Sequence, residues 1–237
     1  MWWWHDVGDG LERGFTDRCG GASEGPYAGL NLGGHVGDEP DSVRENRAML
    51  AEALAVAVHR LVLLSQVHGD GVVVVTGDET TPPTADAVIT AERGLALAVL
   101  VADCTPVLLH DLTSGLVAAV HAGRPGLRLG VVTRTVEAMR DLGARDISAV
   151  VGPSVCGRCY EVPSDMRADV AASAPSAHTV SWSGTPALDV AAGVVEQLAA
   201  SSVAVQWVPG CTREEPRLYS YRRDRVTGRF AGVVVRR

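Results

Sequence analysis

The stretch Leu95–Gly123, LALAVLVADCTPVLLHDLTSGLVAAVHAG, decides the fold. It contains three aliphatic runs of strand length, Leu95–Val101, Val107–His110 and Leu116–Val120, separated by Asp, Ser, Thr and Gly of turn-forming character. A strand with one wet face alternates apolar and polar residues. These runs do not alternate, so both faces of each are expected to be covered. Working outward, Leu61–Leu64, Val72–Thr76, Ala87–Thr90, Ile147–Val151 and Val203–Val208 read as further strands. Helical periodicity runs over Asp41–Val58, where Val43, Leu50, Leu54 and Ala57 share a face and Ser42 and Glu45 have capping-box spacing. Two more helices are expected over Leu129–Leu142, closed by Gly143, and over about Leu188–Ala200. Buried strands interleaved with a few long helices give an α+β (α/β-like) class with layered sheets.

With 46% hydrophobic and 21% charged residues, the 237-residue chain has ample material for a core, and its composition excludes disorder. It has no linker, repeat or low-complexity segment, which points to a single domain over residues 1–237. A net charge of -7 argues against a nucleic-acid surface and for a small-molecule substrate. The opening MWWWHDVGDG has no basic region and too short an apolar run for a signal peptide, and no segment reaches the ~18 apolar residues of a membrane span. A cytoplasmic protein with no membrane partner is expected. Five cysteines, Cys19, Cys104, Cys156, Cys159 and Cys211, are an odd set at irregular spacing, and so read as thiols or metal ligands rather than a disulfide framework.

Three metal-capable side chains close apolar runs: His68 in SQVHGDG, Cys104 after LALAVLVAD and His121 after LVAAV. Strand ends are where α/β enzymes gather their chemistry. One thiolate with two imidazoles is a zinc donor set, and three protein ligands leave the fourth tetrahedral position open, as catalytic sites require. Gly69 and Gly123 keep the approach clear of side chains, and Asp103 puts a carboxylate beside the thiolate. The same residues also fit core histidines satisfied by hydrogen bonds, or a metal-free cysteine hydrolase with Cys104 as nucleophile and His121 or His68 as base. Copper is the second choice of metal, because seven histidines in total are too few for a multicopper cluster. Cys156 and Cys159 form a CxxC with no second ligand pair nearby in sequence, so Cys159 reads as a structural thiol before Tyr160, and Cys211 and Cys19 likewise as plain thiols.

The blocks PYAGLNLGGHVGD, SQVHG, ADAVIT, LVADCTPVLLHD, VAAVHAGRPG, VVGPSVCGRCYEV and YSYRRDRVTGR, in that order over nearly the whole chain, resemble the YfiH/laccase-domain family, also known as multicopper polyphenol oxidase-like proteins or peptidoglycan editing factors. The resemblance implies a single-domain layered α/β/β/α sandwich with mixed sheets (CNF1/YfiH-like) and a catalytic zinc on His68, Cys104 and His121. It implies purine nucleoside phosphorylase activity on adenosine, inosine and methylthioadenosine, with adenosine deaminase activity beside it. A peptidoglycan editing hydrolase that removes misincorporated serine is the alternative activity, and a non-enzymatic zinc-stabilised binding protein the alternative from another class. Arg47 in the ENR block, Asn31 and His35 in the glycine-rich loop, Asp103 and Arg222 are the expected substrate contacts, the two arginines as anion ligands by virtue of their forked donors. A monomer is expected. The chain departs from the family where HAGWRG is usual: it reads His121-Ala122-Gly123-Arg124-Pro125-Gly126, without the Trp and with the Arg one place earlier.

Overall fold

The computed structural model describes residues 1–237. Thirteen strands are present: β1 (Trp2–Gly8), β2 (Leu11–Thr16), β3 (Leu61–Leu63), β4 (Val72–Val74), β5 (Ala87–Thr90), β6 (Ala96–Val101), β7 (Thr105–Asp111), β8 (Leu116–Ala122), β9 (Ser148–Val151), β10 (His178–Val180), β11 (Pro186–Leu188), β12 (Ala204–Trp207) and β13 (Phe230–Arg236). Six α-helices accompany them: α1 (Pro40–Ala53), α2 (Arg124–Leu129), α3 (Val131–Asp141), α4 (Ser164–Ala171), α5 (Val190–Ala200) and α6 (Tyr221–Asp224). The strands form a five-stranded mixed sheet ordered β1-β2-β13-β6-β3, a six-stranded mixed sheet ordered β12-β9-β7-β8-β5-β4, and the β10-β11 hairpin.

Side-chain alternation shows why the central strands are apolar throughout. In β6 and the residue before it, Leu95, Leu97 and Val99 join Leu108 of β7, Val117 and Ala119 of β8 and Phe15 of β2 in a core between the two sheets. The alternate residues Ala96, Ala98 and Leu100 pack with Leu50 and Leu54 from α1 and its C-cap. On β8, Leu116, Ala118 and Val120 face the other way, into a core completed by Leu127, Val131, Val136 and Val194 of α2, α3 and α5. The result is a four-layer α/β/β/α arrangement in which period-2 alternation assigns each central strand residue to one of two dry interfaces.

Several expectations need correction. The helix expected over Leu129–Leu142 is α3, which starts two residues later at Val131; Leu129 ends the separate α2, and Gly130, whose φ of 81° only glycine adopts readily, divides them. The first helix begins at Pro40 after Glu39, so Ser42 and Glu45 lie inside it and form no capping box. It stops at Ala53, ahead of the left-handed Ala55 (φ 47°), and does not reach Val58. The third starts at Val190, with Asp189 accepting the Ala192 N–H at 2.9 Å as N-cap. The strands β1, β2, β10, β11 and β13 and the short helices α2, α4 and α6 are additional to the expected elements. In β2 the strand signal is interrupted by Glu12 and Arg13. Glu12 is buried yet hydrogen-bonded to His5 Nε2 at 2.9 Å and ion-paired with Arg237, and such pairing is what lets a charge enter a strand interior.

No helix is long and apolar enough to cross a membrane. Because Leu108 is fully buried at the centre of the inter-sheet core, Leu108→Ala is expected to lower the unfolding free energy by ~2–5 kcal/mol. Val226→Ala on an exposed loop should stay within ~0.5 kcal/mol, both measured by urea denaturation.

Candidate metal centre and anion pocket

The chain crosses from the five-stranded to the six-stranded sheet twice at one end of the sandwich, between β3 and β4 and between β6 and β7. The first crossing carries His68 and the second carries Cys104. His121 sits near the end of β8, and strand register brings the others to it. Antiparallel pairing sets Thr105 opposite Ala122 and Ala87 opposite Val120, so one step further along lie Cys104 beside Gly123 and Asp86 beside His121. The three donor atoms of His68, Cys104 and His121 fall within 4.8 Å of one another. Cys104 Sγ is 3.8 Å from His68 Nε2, and the two imidazole rings are 4.7 Å apart at 81°. Tetrahedral zinc needs donor separations of roughly 3.3–3.8 Å, so this set fits the ion with only small side-chain adjustment. Gly123 is required by the donors themselves: a Cβ there would lie 2.8 Å from the His68 ring and 3.2 Å from Cys104 Sγ.

The organising group is one the sequence reading did not single out. Asp86 is fully buried, and its carboxylate accepts N–H bonds from Val67 (3.2 Å), His68 (2.9 Å) and Gly69 (2.7 Å) and contacts His121 Nδ1 at 2.8 Å. It holds the backbone of His68 in its left-handed conformation (φ 59°) and fixes Nδ1 of His121 as a donor, which turns Nε2 towards the cluster. Burial alone would raise the Asp86 carboxyl, but the bond from His121, the backbone bonds and the imidazole charge outweigh it and hold its pKa low. The available signal was its position, a carboxylate directly ahead of the apolar AVIT run.

Electrostatics tighten the cluster. Burial pushes the Cys104 thiol up, yet the His121 charge and hydrogen bonds from His121 and His68 bring it down to about 6. Burial depresses His121, but Cys104 and Asp86 raise it to about 9. Without a metal, the pair is a thiolate facing an imidazolium near neutral pH.

A cavity of about 520 Å³ opens over these residues. Around it stand Arg124, Arg222, Arg225 and Arg229, and none of them belongs to the arginine ion pairs of the chain, which involve Arg13, Arg44, Arg128, Arg134, Arg217, Arg223 and Arg237. Guanidinium groups without carboxylate partners around one cavity are an arrangement that can hold an anion. Arg222 lies 4.6 Å over the Tyr160 ring, and Arg229 donates from Nη1 to the Thr227 and Gly228 carbonyls. Arg124 and Pro125, the positions that depart from HAGWRG, also line the cavity, so the shifted arginine still faces it.

The remaining expected contacts divide. His35 lines this cavity, and burial together with the charges of Arg229 and Arg47 lowers its pKa. Asp103 is on the wall, but its carboxylate accepts from Thr212 Oγ1 (2.6 Å), Ser220 Oγ (2.7 Å) and the Arg222 N–H (2.7 Å). Asn31 is fully buried, accepting from the Gly33 and Arg229 N–H groups and donating to Asp38. Arg47 donates twice to the Leu32 carbonyl and lines a neighbouring cavity that shares His35 and Leu100 with the first. Asn31 and Arg47 therefore hold the glycine-rich loop in place and do not face the cysteine and histidines. The CxxC cysteines also depart from expectation, since Cys156, Cys159, Cys211 and Glu214 converge.

Comparison with known proteins sets this architecture in context. The family described as "Multi-copper polyphenol oxidoreductase laccase" matches residues 12–237. "Purine nucleoside phosphorylase SCO2081" of Streptomyces coelicolor is 56% identical over 235 residues, covering 97% of both chains. "Purine nucleoside phosphorylase Rv2149c" of Mycobacterium tuberculosis is 47% identical, covering 94% of this chain and 91% of its own. Among solved structures, hypothetical protein YfiH of Bacillus licheniformis superposes with a TM-score of 0.90 at 31% identity, covering 96% of this chain and 93% of its own. YlmD of Geobacillus stearothermophilus gives 0.89 at 34%, covering 96% and 92%. Since the matched region takes in both sheet crossings and every wall of the cavity, the chain belongs to the multi-copper polyphenol oxidoreductase laccase family, in its YfiH-like branch.

Proposed function

We propose that the chain is a zinc-dependent purine nucleoside phosphorylase that splits adenosine, inosine or methylthioadenosine with phosphate, and also deaminates adenosine. The observation that carries this reading is the pairing of one donor set, His68, Cys104 and His121, with unpaired arginines around a single cavity. Relatives named purine nucleoside phosphorylase at up to 56% identity support it. In this reading residues 1–237 act as one domain, because the cavity draws walls from segments between His35 and Arg229.

When bound, zinc on this three-ligand set supplies Lewis acidity and a lowered pKa for water, the chemistry that replacing the adenine 6-amino group with oxygen requires. The chain's own residues account for the rest. Arg222 and Arg229, with Arg124 and Arg225 beside them, hold hydrogen phosphate and orient an oxygen towards the anomeric carbon of the ribose. As that C–O bond forms and the C–N bond to the purine breaks, the proton lost by hydrogen phosphate goes to the departing base. His35, kept neutral, offers a hydrogen bond to the nucleoside. Asp103 positions the wall by gripping Thr212, Ser220 and the Arg222 backbone. Asn31 and Arg47 act indirectly, by fixing the loop that carries His35.

One observation favours a second reading. The Cys104 thiolate, the His121 imidazolium and the buried Asp86 have the connectivity of a cysteine hydrolase triad. Metal content separates the two, since the phosphorylase reading requires zinc bound through Cys104 and activity lost on chelation.

The phosphorylase reading makes three predictions. Arg222→Ala and Arg229→Ala should each raise KM for phosphate by about 10–100-fold, the loss of one charge-assisted hydrogen bond, in a chromatographic assay of hypoxanthine released from inosine. An unchanged phosphate KM in both variants would remove the anion pocket. Gly123→Ala, whose φ of -78° any residue tolerates, should keep the fold by circular dichroism yet lose zinc and turnover together, because its methyl group separates His68 from Cys104. In chelated protein, alkylation of Cys104 by iodoacetamide should persist down to a midpoint near pH 6 and fall below it as the thiolate is protonated.

A further inference from the structure

The cysteines outside the cavity form a second constellation. Cys156 and Cys159 lie in the loop after β9, and Cys211 and Glu214 in the loop after β12. These loops meet because Ser154 bridges to Cys211 as a short parallel pair, with the Thr212 N–H donating to the Ser154 carbonyl at 3.0 Å. Three sulfurs and a carboxylate oxygen consequently lie within 4.8 Å of one another, and none of the cysteines is in a disulfide. Cys159 Sγ is 3.3 Å from Glu214 Oε1, and the Cys156 N–H points at Cys211 Sγ at 3.5 Å. Glu214 takes no part in an ion pair; the Trp182 indole N–H donates to its Oε1 at 3.3 Å, as an outer group does when it orients a ligating carboxylate. Arg213 donates to the Cys159 carbonyl at 3.5 Å, and Arg158 lies 5.4 Å over the Trp182 ring, so positive charge flanks the cluster.

We propose that Cys156, Cys159, Cys211 and Glu214 form a second, structural zinc site. Four protein donors close the coordination sphere, in contrast to the three donors of the His68, Cys104 and His121 set, and closed spheres with thiolate majorities are structural. The CxxC supplies two ligands from one turn, where the Cys159 N–H donates to the Cys156 carbonyl at 2.9 Å, and CTRE supplies the other two from a second turn, where the Glu214 N–H donates to the Cys211 carbonyl at 3.0 Å. A disulfide would leave the third thiol and the carboxylate without a role, whereas a divalent ion uses all four. The position gives the ion a task. Asp103, the neighbour of Cys104, has its backbone carbonyl bonded by Val155 N–H (2.9 Å) and its carboxylate bonded by Thr212, the residues next to Cys156 and Cys211. Asp103 is itself left-handed at φ 99°. An ion joining the two loops would fasten the groups that hold this strained residue and the Tyr160 wall.

The test is metal content by mass spectrometry, with zinc as the metal, on purified full-length protein and variants. Wild type should carry about two zinc ions per chain and Cys104→Ala about one. Adding Cys159→Ser or Glu214→Gln to Cys104→Ala should abolish tight binding. Cobalt-loaded Cys104→Ala should show a strong near-ultraviolet sulfur-to-metal band, which reports thiolate ligation directly with Cys156, Cys159, Cys211 and Glu214 all intact. A Cys104→Ala protein that takes up no zinc overturns the proposal, as does a disulfide among Cys156, Cys159 and Cys211 in freshly purified protein. One zinc in both wild type and Cys104→Ala would uphold this site while removing zinc from the catalytic reading.

Discussion

The buried carboxylate of Asp86 is the constraint on which the active end of the molecule depends. It lies directly ahead of β5, the strand beside β8, and gathers three consecutive N–H groups from the β3–β4 crossing and one imidazole nitrogen. A carboxylate isolated from water would be strongly destabilising, and this one is tolerated only because its four bonds form together. The dependence is mutual: without Asp86 the N–H groups around His68 would be orphaned next to the cavity, and without those groups the carboxylate would take up a proton. Ligand geometry is therefore over-determined by hydrogen bonds that involve no metal, as a preorganised site requires.

Much of this was legible in the chain itself, and for identifiable reasons. Uninterrupted apolar runs in Leu95–Gly123 could only be strands covered on both faces, and they are. His68, Cys104 and His121 were visible because polar donors stood where such runs end. The three runs do not end in one sheet: β6 and β8 belong to different sheets, and His68 and Cys104 ride on the segments between sheets. The register that brings Asp86 to His121 is a property of strand pairing over long separation, which periodicity does not encode. For the same reason CxxC and CTRE looked unrelated, since only the parallel bridge at Ser154 joins them. Arg47 and Asn31 have a role that residue type does not reveal: they satisfy backbone carbonyls and N–H groups of the buried glycine-rich loop.

Charge is distributed against its own average. The chain carries a net -7, yet Arg124, Arg222, Arg225 and Arg229 meet around the cavity with no carboxylate salt-bridged to any of them. The nearest acidic side chain on the wall, Asp103, is turned into hydrogen bonds with Thr212 and Ser220. Four guanidinium groups without carboxylate partners around one cavity give this end of the molecule a local charge opposite in sign to that of the chain as a whole.

Placing His68 and Cys104 on the two sheet-crossing segments has a mechanical consequence. The distance between them reports how the two sheets sit on each other, because each crossing is anchored in a strand of one sheet at its start and of the other at its end. Substitutions on the helix-facing sides of either sheet lie away from these crossings, while a change of a methyl group or two between the sheets would be felt at the donor atoms through the relative slide of the layers. The spacing of the donor atoms and the tightness of the central core are thus two readings of one packing.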